Sequence, residues 1–375
     1  MNKLELETEG MLYRNPRPGY RAECAYLSNI VPLSDREVLC LFRLGQAFYS
    51  SDGRVAQLRS QDGGATWANE GLVWDPQDDP IAYSYTAPHG ARLTDGTLLL
   101  VASRFDGSDP DREMFNPKTG GVQVTEKVLF RSEDGGRTWS EPHLLELPGQ
   151  GLVDLPSQII ELNSGRLFLA CEQWKGWDDA RPLHIKGFAV FSDDRGRTWW
   201  SRLDFPSALD TEKMYSHTRY TRMLDGRLCG LQWTQRIGGQ ENLDLHLTVS
   251  DVTGTQWSWP RTTGIRAQTS WLADLGNGLV ALAYTRREGM QPGILVALSE
   301  DDGKTWDLEH QVLVWDAVGQ EYLGVEHKPE YPASHDNIAF GKPNLARLPD
   351  GSLICTWWCT QACVTHTRFA KLRLG

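Results

Sequence analysis

One octapeptide pattern, Ser-x-Asp-x-Gly-x-x-Trp, recurs along the whole chain and limits its fold more than any other feature. It stands at Ser60–Trp67, Ser132–Trp139, Ser192–Trp199 and Ser299–Trp306. A degraded copy at Ser250–Trp257 keeps Ser, Gly and Trp but has Val252 where the others have Asp. The copies lie 72, 60, 58 and 49 residues apart, too irregular for a solenoid and suited to sheet units with variable loops. The pattern is turn chemistry. A short Asp side chain accepts backbone N–H groups of its own turn, and Gly supplies the positive φ of the reversal. The Trp re-enters the next strand with a large face to bury against a neighbouring sheet. Each copy follows a strand-like run: VAQLR, KVLFR, GFAVF, LHLTV or ILVAL.

A second element precedes each copy: an apolar run, a turn and another apolar run, which reads as a hairpin. Examples are ARLTDGTLLLVASR (91–104), IIELNSGRLFLACE (159–172) and LARLPDGSLICTWW (345–358). Each unit is then strand A, turn, strand B, loop, strand C, boxed turn, strand D. Six units account for the chain at roughly 23–74, 82–145, 152–203, 212–258, 265–314 and 334–374. The last lacks its fourth strand, which Lys3–Tyr13 can supply, closing a ring without free edges. No sustained 3.6-residue apolar period competes. The expectation is an all-β chain, a six-bladed β-propeller of four-stranded antiparallel blades forming one domain over 1–375.

Charge and cysteines narrow the partners. A net charge of −11, without a Lys/Arg cluster, argues against nucleic acid. No apolar stretch reaches 18 residues, so no ordinary membrane helix is expected, and the N-terminus lacks an apolar signal core. Together with seven cysteines, several inside apolar strand runs (Cys40, Cys171, Cys229, Cys355), this predicts free buried thiols and a cytoplasmic protein. Cys355, Cys359, Cys363 and His366 invite a zinc reading, but their spacing is unlike the usual paired ligands. Asp106–Asp111 and Asp178–Asp179 lack the order of a calcium loop. No metal or cofactor is expected, and oligomeric state is not readable.

Repeated Asp boxes on a six-unit propeller resemble the sialidase (neuraminidase) superfamily across nearly the full chain. The resemblance implies that the boxes and A–B turns share the face away from the active site. It also implies three arginines for a substrate carboxylate, a Tyr nucleophile assisted by Glu, and an Asp acid/base. Few of these find counterparts. Tyr26-Leu27-Ser28 stands where the family has Arg-Ile-Pro, Lys342 where the Tyr should be, and His217 near the Glu. Asp52 matches the Asp, while Arg236 and one of Arg286 and Arg287 match arginines. The fold is therefore expected to be sialidase-like without its sialic-acid chemistry.

The opposite face, built from starts of A strands and from B–C loops, carries the candidates. Glu172 ends the apolar run LFLACE, where low dielectric would raise its pKa toward that of a general acid; a strand-end Glu paired with a neighbouring Arg or Lys175 is the alternative. Asp52 precedes Gly53 and is equally a turn residue. His89 and His217 are read as equivalent A-strand positions aimed at the axis, either acid/base groups or satisfied structural histidines. Arg236, Arg286 and Lys342 are candidates for clamping an acidic sugar, against blade-to-blade ion pairs, and Arg43, Arg104 and Arg219 are further substrate-binding candidates on this face. Tyr26, Trp174 and Trp271 offer rings to sugar faces, and Glu326, His327, His335 and Asp336 complete the face. The expectation is an exo-acting glycoside hydrolase on a non-sialic or modified sugar. Alternatives are a true sialidase with shifted arginines, a uronate lyase, or a non-catalytic propeller binding glycan or protein.

Overall fold

The computed structural model of the chain describes residues 2–148, 153–289, 291–320, 323 and 337–375. It is a six-bladed β-propeller. Blade 1 consists of Cys24–Pro32, Val38–Gly45, Arg54–Ser60 and Ala68–Leu72, each strand pairing antiparallel with the next. Blades 2 to 5 repeat this from Tyr83, Val153, Lys213 and Ser270, and blade 6 supplies Phe340–Arg347, Leu353–Gln361 and Val364–Leu374. Its fourth strand is Leu4–Tyr13, which pairs along Val364–Leu374 from Leu4↔Leu374 to Tyr13↔Thr367. Chain start and chain end are thus stitched by ladder hydrogen bonds, and Leu4–Tyr13 covers what would otherwise be the open outer edge of Val364–Leu374. Among the described residues no helix is long and apolar enough to cross a membrane.

The boxes join blades. In the first, Asp62 Oδ1 accepts the N–H groups of Ala65 and Thr66 and the Ser60 hydroxyl, and Oδ2 accepts the Thr66 hydroxyl. Gly64 sits at φ 87°, and a Cβ there would meet Ile354 of blade 6 at 2.2 Å. The boxed turn therefore tucks against the preceding blade, where the Trp67 ring also faces Phe369. The degraded copy survives by a one-residue shift: Asp251, beside Val252, accepts the N–H groups of Thr255 and Gln256. Arg195 of the third box pairs with Asp95 of the blade 2 A–B turn, which puts boxes and A–B turns on one face, as expected.

Strand A of blades 1, 2, 3, 4 and 6 carries a bulge: two residues, led by Leu27, Ala87, Ser157, His217 and Lys342, interrupt its pairing with strand B. Leu27, Ala87, His217 and Lys342 have φ of 58°, 50°, 48° and 53°. Non-glycine residues held in the left-handed region store strain, and such strain concentrates at functional sites. Strand register corrects the expected His89/His217 equivalence. By register His217 matches Ala87, whereas His89 matches Arg219, both lying just past the bulge. The A strands also begin earlier than expected, so His89 is the seventh residue of Tyr83–Arg92 rather than near its start.

Candidate active site

Glu172, His89, His217, Arg219, Trp271 and Lys342 come together along the axis. Glu172 is next to last in the blade 3 strand Leu167–Gln173. Its Oε1 accepts the Thr218 N–H at 2.8 Å, so the blade 4 bulge presents its backbone to a blade 3 carboxyl. Glu172, His89 and Arg219 are only 4%, 5% and 3% exposed. Burial pushes Glu172 from its ordinary 4.5 up to about 7, against the Thr218 N–H and the Arg219 and Lys342 cations. Burial likewise pulls Arg219 down to about 10. His89 is held well below its ordinary value by burial, then by Arg219 and Lys342, and is neutral near pH 7. The Arg219 guanidinium lies 5.8 Å over Trp271, and the His89 ring centroid is 6.1 Å from that indole. His217 stacks on Trp233 at 5.4 Å.

Several buried polar atoms here find no hydrogen-bond partner in the protein: Glu172 Oε2, both His89 nitrogens and Arg219 Nη2. Most buried polar groups are paired, so a group of orphans marks either a strain reservoir or a place built for other partners. Glu172 also borders a void of about 10 Å³ with Ser157, Thr218 and Tyr220, near the size of a single water.

The other candidates lie elsewhere. Arg43 is fully buried and donates to the carbonyls of Tyr85, Ala47 and Ser50, so its fork holds the loop between strands B and C of blade 1. Asp52 braces that same loop, accepting the Gln46 N–H and the Ser50 hydroxyl. Arg104 pairs with Glu126 at 2.8 Å and stacks on Tyr83. Arg236 is an exposed rim residue near Glu212 and Glu241, and Arg286 donates to the Gln291 carbonyl. Trp174 is core beneath the loops, against Phe115. Cys355 is buried in the blade core while Cys363 is exposed at a hairpin turn, so the two do not face one centre. Glu326, His327, His335 and Asp336 lie outside the described residues.

A cavity of about 950 Å³ opens among the B–C loops. Tyr26, Phe48, Tyr49, Phe115 and Trp358 line it, with Arg112 and Lys175. Neither Glu172, His89 nor Arg219 does so: the titratable cluster sits in the propeller wall and the open space beside it. Of this aromatic lining the sequence patterns point only to Tyr26. The adjacent rings Phe48-Tyr49 in a short loop between strands are the available signal for the rest, since a loop that exposes aromatics rarely does so without a partner.

Residues 113–353 match the family model described as BNR repeat-like domain, and the chain belongs to that family. A protein of unknown function from Dyadobacter fermentans superposes with a TM-score of 0.75 at 17% identity, each chain covered in full. A Hadza microbial sialidase gives 0.64 at 15% identity over 96% of this chain and 67% of that one. An alpha-L-arabinanase of Penicillium chrysogenum, solved with arabinobiose, gives 0.64 at 16% identity over 98% of both. A search of curated proteins by sequence finds no match. The sialidase-like fold read from the boxes thus holds, and at these identities the likeness speaks for fold alone.

Proposed function

We propose that the chain is an exo-acting glycoside hydrolase on a non-sialic sugar, with Glu172 as its proton donor. The observation that carries this is the buried Glu172 carboxyl, raised to about 7, beside unpartnered His89 and Arg219 atoms that lie just past the strained A-strand bulges at Ala87 and His217. A carboxyl half-protonated near neutral pH delivers a proton to a departing glycosidic oxygen and takes one back from water. Neutral His89, with one donor and one acceptor nitrogen, is suited to orient a sugar hydroxyl or the attacking water. Arg219 and Lys342 stabilise the carboxylate left after transfer. Asp52 is committed to its loop, so the pair is Glu172 with His89 rather than two carboxylates. The proposal extends to carbohydrate as partner, on the same fold likeness, and to a cytoplasmic setting, on the unpaired, mostly buried cysteines.

A panel of sialyl, glucuronyl, rhamnosyl and arabinosyl aryl glycosides, turned over by wild type and by Glu172→Gln, tests it. Cleavage of at least one non-sialic glycoside by wild type, lost in the variant, is expected; undiminished turnover in the variant removes Glu172 from the mechanism. The separation of the cluster from the open cavity favours a second reading, a propeller that binds glycan without cleaving it. That reading predicts ligand binding with no turnover across the panel.

A further inference from the structure

The large cavity has a charge opposite to that of the molecule. Its charged lining is Arg112, Lys118, Lys175 and Arg181 against Asp111 and Glu113, in a chain of net charge −11. Among the described residues Arg181 alone of those four cations is in an ion pair, with Asp179 at 2.6 Å. Lys175 sits in partial burial that lowers its pKa, and its Nζ donates to the Arg181 carbonyl rather than to a carboxylate. The Arg112 guanidinium lies 5.9 Å over the Trp177 ring. Arg112 and Lys175 make no salt bridge among the described residues, Asp106 and Asp179 acting on them only at longer range, and cations on a concave wall draw anions and steer them inward.

The wall toward blades 1 and 6 is of another kind. Phe48 meets Tyr26, Tyr49 and Trp358 at centroid distances of 4.8, 4.6 and 5.3 Å, and Tyr49 meets Phe115 at 5.2 Å. Arg43 and Asp52 fix the loop carrying Phe48 and Tyr49, so this platform is set before a ligand arrives. Its area suits apolar ring faces. At about 950 Å³ the cavity stands near the top of the ordinary range for ligand sites, about 300–1,000 Å³, which is ample for several linked rings.

We infer that this cavity binds an anionic oligosaccharide, its ring faces on the Phe48–Tyr49 platform and its acidic groups on Arg112 and Lys175. The inference rests on the glycosidase reading for the sugar but not on Glu172 for the binding. Titration calorimetry of the full chain, as wild type and as Glu172→Gln, with trigalacturonate, a sulfated carrageenan tetrasaccharide and neutral arabinotriose tests it. The expected result is at least tenfold tighter binding of an anionic oligomer than of arabinotriose at low salt, fading as salt rises. Which anionic oligomer binds better identifies carboxylate or sulfate as the recognised group. The double variant Arg112→Ala/Lys175→Ala should lose that preference while keeping arabinotriose binding, and Phe48→Ala should weaken all three probes. Equal affinity for all three, no binding of any, or a preference that survives the double variant would overturn it. If the preference holds while wild type cleaves no glycoside of the panel, the site stands and the hydrolase reading falls. Turnover of a glycoside without any anionic preference leaves the hydrolase reading standing and removes the site.

Discussion

The boxed turns and the axial cluster use carboxyl groups in opposite ways. In the four full boxes the turn Asp (Asp62, Asp134, Asp194 and Asp301) accepts hydrogen bonds on both carboxylate oxygens. The Thr66 hydroxyl, then the Thr66 N–H, hold Asp62 down at about 2. Partial burial pushes Asp194 and Asp301 up, yet the same Thr, Ser and backbone donors outweigh it and hold both at about 2. On the axis Glu172 is buried with one oxygen unpartnered and rises to about 7. A saturated carboxylate is locked into one charge state and serves the fold. One left hungry in low dielectric keeps both states within reach, which is what proton transfer needs.

The contrast breaks most sharply on turnover. Glu172→Gln keeps the shape of the side chain but cannot transfer a proton, so kcat should fall by about 10²–10⁴-fold with the circular dichroism spectrum unchanged. A loss below tenfold would place Glu172 with the structural carboxylates. Arg43→Ala tests the saturated side, because it leaves the Ala47, Ser50 and Tyr85 carbonyls without their donor. Urea melts should show a loss of about 3 kcal/mol, whereas a wild-type melt with a raised KM would return Arg43 to the ligand.

Stability against pH separates the two regions by sign. The box carboxylates titrate lower in the folded chain than unfolded, so their contribution is full above about pH 4 and is lost as pH falls toward about 2. Glu172 titrates higher when folded, so stability declines as pH rises from about 4.5 to about 7 and is flat beyond. Glu172→Gln should remove that decline and gain on the order of 2–3 kcal/mol at pH 8; a variant no more stable than wild type at pH 8 would contradict the raised value. A single box substitution, Asp194→Ala, should lower stability by about 1–2 kcal/mol in urea melts without altering activity. The smallest effect concerns the cation beside Glu172. Arg219→Gln removes a charge that favours the carboxylate, so the alkaline limb of kcat should move upward by less than about one pH unit. A downward move would mean that Arg219 does not act on Glu172.

The boxes were legible because their chemistry is local. Asp62 reaches donors three and four residues on, so spacing alone carried the turn, the blade count and the closing strand. Even the shifted Asp251 stayed within its octapeptide. Glu172 could be picked out as a carboxyl ending an apolar strand, and its burial followed. Arg43 and Asp52 read equally well as ligands, because the Tyr85 carbonyl that engages Arg43 lies 42 residues away and no pattern announces it. The His89/His217 equivalence failed on register: His89 lies six residues before Asp95 of its A–B turn and His217 eight before Asp225, and the bulge that both strands share leaves that offset in place.

What the sequence determined by itself is the repeat, and through it six sheets, their order and which face the turns occupy, since each of these follows from contacts within a few residues. Tertiary structure alone decided which polar groups share the axis and which are spent on distant carbonyls. It also decided that the open, cation-lined space lies beside the buried carboxyl rather than over it. Those outcomes depend on how blades lean together across a ring, where partners are separated by whole repeats and desolvation sets the charge.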